Sequence, residues 1–230
     1  MPRRLAPGPS CFYLVNNFTS LLTVKRIADS TIRRLSLYLR HLEEAGDGAV
    51  DTISSDELAR RGGTTSAQVR KDLSFFGSFG KRGLGYSVAE LTEALREILG
   101  LGREWRVIII GAGKIGAALA SYRGFQQRGF QVVAAYDTNP DKVGRRLENV
   151  VVRDMAQLAD DVRLERADIA VLTVPGEGAQ AVVDQLVAAG IKAIMSFAPA
   201  QLHVPADVSL KTVNMAMELE GLSFALANRD

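Results

Sequence analysis

Val107-Ile-Ile-Ile-Gly-Ala-Gly-Lys-Ile-Gly116 runs from four β-branched residues directly into glycines at G-x-G-x-x-G spacing. Alone, that glycine pattern is weak. It becomes specific when a buried strand precedes it, a helix follows it and an acid closes the next strand. All three are present: a strand over Arg106 to Ile110, a helix over Lys114 to Tyr122, and Asp137, 21 residues beyond Gly116, ending a strand over Gln131 to Tyr136. In such a turn Gly111 permits the sharp reversal, Gly113 lets a pyrophosphate approach the backbone, and Gly116 lets the helix pack close to the sheet. Gly111, Ala112, Gly113, Lys114, Ile115 and Gly116 thus form a predicted phosphate cradle, helped by the free amides of the helix N-terminus. Asp137 is placed to accept ribose hydroxyls and to repel a 2′-phosphate. That favours NAD and NADH over their phosphorylated forms, with Lys142, Arg145 and Arg146 nearby acting against the preference.

Downstream, strands are predicted over Val150 to Val152, Ile169 to Val174, Ala193 to Phe197 and Ser209 to Val213. Their mostly β-branched composition suits burial on both faces, and the intervening segments have room for crossover helices. The fold class is α/β: a Rossmann doubly wound parallel sheet over residues 103–213. Ligands in such sheets lie outside the carboxyl edge, so Thr173, Val174 and Pro175 on one strand end, and Phe197, Ala198 and Pro199 on another, either line the cofactor or merely stop their strands. The final segment, 214–230, spaces Met215, Leu219, Leu222 and Leu226 by alternating fours and threes, with Met217 and Phe224 flanking. This apolar helix must be covered, either by its own sheet or by a second subunit.

Upstream the periodicity is helical. Ile32, Leu35, Leu39 and Leu42 mark a helix over Thr31 to Ala45; Ser54-Ser-Asp-Glu57 opens a second with a capping-box pattern; Thr64-Thr-Ser66 caps a third that runs through Phe76 to Gly77. Short helices around Gly62-Gly63 read as helix-turn-helix, and Gly77 to Tyr86, with alternating glycine, aromatic and basic residues, reads as a hairpin wing. A further helix over Ser87 to Leu99 leads to a linker at Gly100-Leu-Gly102. The predicted domain over 24–100 is therefore a winged helix. Its third helix offers Ser66, Gln68, Arg70 and Lys71 to the major groove of double-stranded DNA, with Val69 and Leu73 facing the core. Lys81 and Arg82 on the wing are placed for phosphates or the minor groove.

Composition is consistent with this division. Residues 1–100 carry 14 basic and 11 acidic side chains and the remainder 14 and 15, so nucleic-acid contact must come from local clustering and not from overall charge. Cys11, the single cysteine, has no intrachain disulfide partner, and no Cys/His array has metal spacing, so no metal site is expected. No apolar run is long enough for a bilayer, and residues 1–23, an N-terminal extension, lack a clear cleavage pattern; a cytoplasmic protein is expected, without a membrane partner. An NAD-dependent oxidoreductase is the alternative reading. Against it, His41 and His203 have no acid at a suggestive spacing, and little chain remains for a substrate domain.

Several segments together resemble the redox-sensing transcriptional repressors of the Rex family: Arg34-Leu-Ser-Leu-Tyr-Leu-Arg40, Val69-Arg-Lys-Asp-Leu-Ser-Phe-Phe-Gly77, Arg82-Gly-Leu-Gly-Tyr86, Gly111-Ala-Gly-Lys-Ile-Gly116, Leu172-Thr-Val-Pro175 and Phe197-Ala-Pro199. The resemblance implies a homodimer that represses genes by binding an inverted-repeat operator and releases it when NADH replaces NAD. It also implies a C-terminal helix exchanged between subunits. A redox-dependent contact set in that family corresponds here to Tyr122, which also belongs with the cofactor, Arg40 and Asn214. At the last position the family pattern has an aspartate, and a neutral amide cannot form the same ion pair.

Overall fold

A computed structural model describes residues 27–46, 51–80 and 83–229. The chain divides between Gly100 and Leu101 into two compact units. In the first, α1 (Asp29–Gly46), β1 (Thr52–Ile53), α2 (Ser55–Arg61), α3 (Ser66–Ser74), β2 (Tyr86–Ser87) and α4 (Val88–Ile98) follow in order. Ser54, Thr65 and Ser87 are the N-caps of α2, α3 and α4, each side chain accepting a hydrogen bond from the amide three residues on. Such a cap satisfies one of the amides that a helix start leaves unpaired. Leu35, Leu39 and Leu42 of α1, together with Leu58, Val69, Leu73, Leu91 and Leu95, are among the buried apolar residues of this unit.

Tyr86 and Ser87 pair antiparallel with Thr52 and Ile53, a strand with too few residues to show a period in sequence. Lys81 and Arg82 lie outside the described residues, as does the extension over 1–23. Helix α3 also stops at Ser74, two residues short of the predicted Phe76.

One polar cluster sits in this core. Asp72 of α3 is fully buried, and burial alone would push its carboxyl up. The hydrogen bonds from Arg34, Gln68 and Tyr38 outweigh that and hold it below the ordinary carboxylate value. Removing one partner of such a buried pair typically costs about 3–5 kcal/mol, because a charge is left uncompensated.

The second unit is a seven-stranded sheet of order β5-β6-β4-β3-β7-β8-β9. Its strands are β3 (Trp105–Ile110), β4 (Phe130–Asp137), β5 (Arg146–Leu147), β6 (Val150–Asp154), β7 (Ile169–Leu172), β8 (Ala193–Ser196) and β9 (Ser209–Thr212). All neighbours pair in parallel except β5 with β6. Without β5, the order is that of a dinucleotide-binding sheet with its switch point between β3 and β7.

Strand β3 shows why its sequence is continuously apolar: Ile108 and Ile110 join the core with Leu158 and Val162 of α7 (Leu158–Leu164) and Val183 and Leu186 of α8 (Ala179–Ala188). Val107 and Ile109 face the opposite core, with Leu119 and Ala120 of α5 (Lys114–Ala120). The single helix expected over Lys114 to Tyr122 ends at Ala120, and Tyr122 caps a further short helix, α6 (Arg123–Gln127). Not every connection with room for a crossover helix holds one: residues 138–149 contain β5, and 197–208 are irregular.

Helix α9 (Met215–Ala227) buries none of its residues. Met215, Met217, Leu219, Leu222, Phe224 and Leu226 are each 61–71 % exposed, so the chain's own sheet does not cover it. Among the described residues, no helix is long and apolar enough to cross a membrane, and no group of three or more His, Cys, Asp or Glu could hold a metal ion.

Candidate functional site

A cleft of about 920 Å³ opens at the carboxyl edge of the sheet, spanning the ends of β3, β4, β7 and β8. That is within the usual range for small-molecule sites. The glycine loop forms one wall. Gly111 has φ +102°, and a Cβ there would lie 2.8 Å from the Thr173 carbonyl oxygen. At Gly116 a Cβ would lie 2.0 Å from the Gly111 carbonyl oxygen. Both glycines are therefore required by the protein's own packing. Gly113 is different: its backbone is extended, with φ −83° and ψ −170°, and a Cβ there would meet nothing within 4 Å. Among the described residues nothing needs a glycine at that point, whereas a pyrophosphate lying against the backbone would.

Asp137, at the end of β4, is buried, with its carboxylate already engaged. Oδ2 accepts from the Ala112 amide at 2.8 Å and from Lys142 Nζ at 2.9 Å, and Oδ1 accepts from the Asn139 amide at 2.9 Å. Burial alone would push this carboxyl up; the lysine and the two amides more than offset it and hold it below the ordinary range. A carboxylate offers about four acceptor positions, so one remains on Oδ1. Two ribose hydroxyls can both be received only if Lys142 leaves Oδ2. The loop and the acid are thus joined, since the Ala112 amide that anchors Asp137 belongs to the cradle itself.

The other predicted residues fall into distinct places. Lys114 and Ile115 are exposed at the cleft mouth, and Val174, Pro175, Phe197 and Pro199 line it. Thr173 also lines it, but its hydroxyl points at the carbonyl oxygens of Gly111, at 2.7 Å, and Ile110, at 3.1 Å, tying β7 to the glycine loop. Gly116 and Ala198 are buried, and Ala198 borders a neighbouring hollow of about 470 Å³ between β8, β9 and the start of α9. Asn214 also borders that hollow, and its side chain caps α9 by accepting from the Ala216 amide at 3.0 Å. Tyr122 is 58 % exposed, does not line the cleft and meets the Phe125 ring edge-on at 5.2 Å. Arg40 is exposed on α1, in the other unit. Sequence reasoning missed Thr138, Met155, Glu177, Gly178 and Val182 as lining residues, because they follow the strand ends in segments that carry no motif.

In the first unit, α3 exposes Ala67, Arg70, Lys71 and Ser74, which recur every three or four residues and so form one face. Arg70 Nη1 donates to the Ser55 hydroxyl of α2 at 2.8 Å. Ser66 is half-buried beside the Thr65 cap. Gln68 is turned inward, its Nε2 donating to Asp72 Oδ1 at 2.8 Å, which removes it from the outward face on which the sequence placed it. His41 is partly covered and adjoins Glu44 at 3.5 Å, while His203 is exposed.

Comparison with known proteins covers both units. Residues 26–74 match the family described as "Putative DNA-binding protein N-terminus", and residues 102–200 match the "CoA binding domain" family. The Redox-sensing transcriptional repressor Rex of Syntrophomonas wolfei is 47% identical over 206 residues, covering 90% of this chain and 98% of that protein. Its counterpart in Desulfitobacterium hafniense is 41% identical over 204 residues, covering 89% and 97%. Among solved structures, RSP in complex with β-NAD+ and operator DNA superposes with a TM-score of 0.83 at 42% identity, covering 87% of this chain and 92% of that one. RSP in complex with β-NADH gives 0.80 at 40% identity, covering 88% and 95%. With a helix-turn-helix unit, a sheet of dinucleotide-binding order and a similarity that runs along nearly all of both partners, this chain belongs to the Rex family of redox-sensing transcriptional repressors.

Proposed function

We propose that this protein is a transcriptional repressor, not an enzyme, which holds NAD or NADH in the cleft beside Gly111–Gly116 and lets the redox state of that cofactor set its grip on an operator. The observation that carries the reading is Gly113, a glycine that the protein's own packing does not need, placed beside a buried acid at the switch point of the sheet. Residues 103–213 serve as the cofactor-binding domain and 24–100 as the winged-helix DNA-binding domain. Residues 214–230 pair two subunits through α9, so that two α3 helices meet the two half-sites of an inverted repeat. Tyr122, Arg40 and Asn214 are assigned to the contacts that report the switch, with Asn214 giving a hydrogen bond in place of an ion pair. The protein works in the cytoplasm, where both the cofactor pool and chromosomal operators are available to it.

The two cofactor forms differ in the charge of the nicotinamide ring: oxidised it is cationic, reduced it is neutral. Only a form that binds the DNA-competent and DNA-released states with different affinity can shift the balance between them. Operator release titrated separately with NADH and NAD tests this. NADH should release the duplex at the lower concentration, and equal potency of the two would defeat redox sensing. In a second measurement, Asp137→Ala should weaken NADH binding by about ten- to a hundred-fold, since hydrogen bonds to a charged group contribute roughly 1.5–3 kcal/mol. Its operator affinity without cofactor should stay at the wild-type value. Loss of both together would show that the acid supports the whole chain and not the ribose.

A further inference from the structure

The carboxylate of Asp72 has all of its acceptor positions filled. Arg34 Nε donates to Oδ2 at 2.6 Å and Arg34 Nη2 to Oδ1 at 2.8 Å; Tyr38 Oη donates to Oδ2 at 3.0 Å and Gln68 Nε2 to Oδ1 at 2.8 Å. Arg34 Nη2 also reaches the Thr31 hydroxyl at 3.1 Å. Asp72 is 0% exposed, so the carboxylate touches α1 and its own helix and no ligand. A buried ion pair adds little stability over apolar residues of the same volume. What it adds is direction, because a guanidinium fork engages both carboxylate oxygens in one plane. Apolar neighbours such as Val69 and Leu73 tolerate small rotations of a helix; a two-point fork does not.

We infer that Asp72 is a positioning residue for operator recognition: through Arg34 and Tyr38 of α1 it fixes the rotation of α3 about its axis, and so aims Ala67, Arg70, Lys71 and Ser74 at the DNA groove. Gln68 belongs to this anchor and not to the reading face. The inference rests on the reading of α3 as the DNA-contacting helix. Asp72 stands two positions from Arg70 and one from Lys71, on the opposite side of the helix, so any turn at the anchor displaces both cations together.

The test uses the full-length protein and an inverted-repeat duplex that the wild type selects from a randomised library, with a scrambled duplex for comparison. Asp72→Asn should lower the ratio of selected to scrambled affinity by about ten-fold or more, on the order of what one mismatched base pair costs. Repeat selection should show preference relaxed at several positions of each half-site at once, whereas loss of a base-reading side chain relaxes one. Thermal melting followed by circular dichroism, with both units unfolding as in the wild type, serves as the folding control, because NADH reports only on the unit that begins at Leu101. Should Asp72→Asn not fold, Gln68→Ala and Tyr38→Phe, which remove one hydrogen bond each, carry the same expectation at smaller size. A folded Asp72→Asn with an unchanged ratio overturns the inference, as does a Gln68→Ala that relaxes a single base position. A wild type that selects no sequence overturns the DNA reading itself, and the inference with it.

Discussion

Gly113→Val should abolish measurable NADH binding while leaving the melting temperature near that of the wild type. The side chain has room among the described residues, since a Cβ at Gly113 meets nothing within 4 Å and the backbone there is extended. It occupies the space against which a pyrophosphate would lie, so the loss should exceed about a hundred-fold, nearly 3 kcal/mol. Gly116→Ala gives the opposite pattern. Its Cβ would fall 2.0 Å from the Gly111 carbonyl oxygen, and the loop must open before it fits. Overpacking of this kind costs about 1–3 kcal/mol, so melting temperature and binding should fall together. Calorimetric titration and thermal melting of the two variants separate the cases. A Gly113→Val that binds NADH normally, or one that melts like Gly116→Ala, removes the main support for the cofactor site.

If α9 pairs two subunits as proposed, replacing Leu222 and Leu226 together by aspartate should convert the protein to a monomer and weaken operator binding. Both side chains are exposed on α9, at 61 % and 64 %, along with four further large apolar residues of that helix. Burying one such side chain contributes roughly 1.5–3 kcal/mol, so two replacements by charge remove most of what could hold a modest interface together. A monomer carries a single α3 and reads a single half-site, so operator affinity should drop by about a hundred-fold or more as the effective concentration of the second reader is lost. Sedimentation measures the first effect and duplex titration the second. A double variant that sediments as the wild type does would mean that α9 is covered in some other way. The winged-helix unit should stay folded, because its apolar core lies within residues 27–99.

Much of this was legible along the chain because the physics is local. The strand, glycine loop and helix from Val107 onward follow from β-branching, tight turns and capping, all within a few residues of one another. The serine and threonine caps at Ser54 and Thr65 were readable for the same reason, since an N-cap acts on the amide three residues ahead. The boundaries that were missed are those set at a distance. Strand β1 exists only because Tyr86 and Ser87 come back to pair with it, and β5 only because β6 lies alongside. Neither has enough residues to carry a period.

The same division holds at the functional sites. Sequence alone determined most of the residues that line the cleft and which helix exposes Arg70 and Lys71, because spacing along a strand or helix puts them on a common edge or face. Only the tertiary structure decided how each side chain is used. Thr173 spends its hydroxyl on the glycine loop, Lys142 occupies Asp137, Gln68 turns inward to Asp72, and α9 stands with no cover from its own sheet. Thr173 and Lys142 meet partners outside their own segments, 62 and 5 residues away, and Gln68 turns inward because Asp72 is buried and must be paired; that balance is recorded by no periodicity along a single segment.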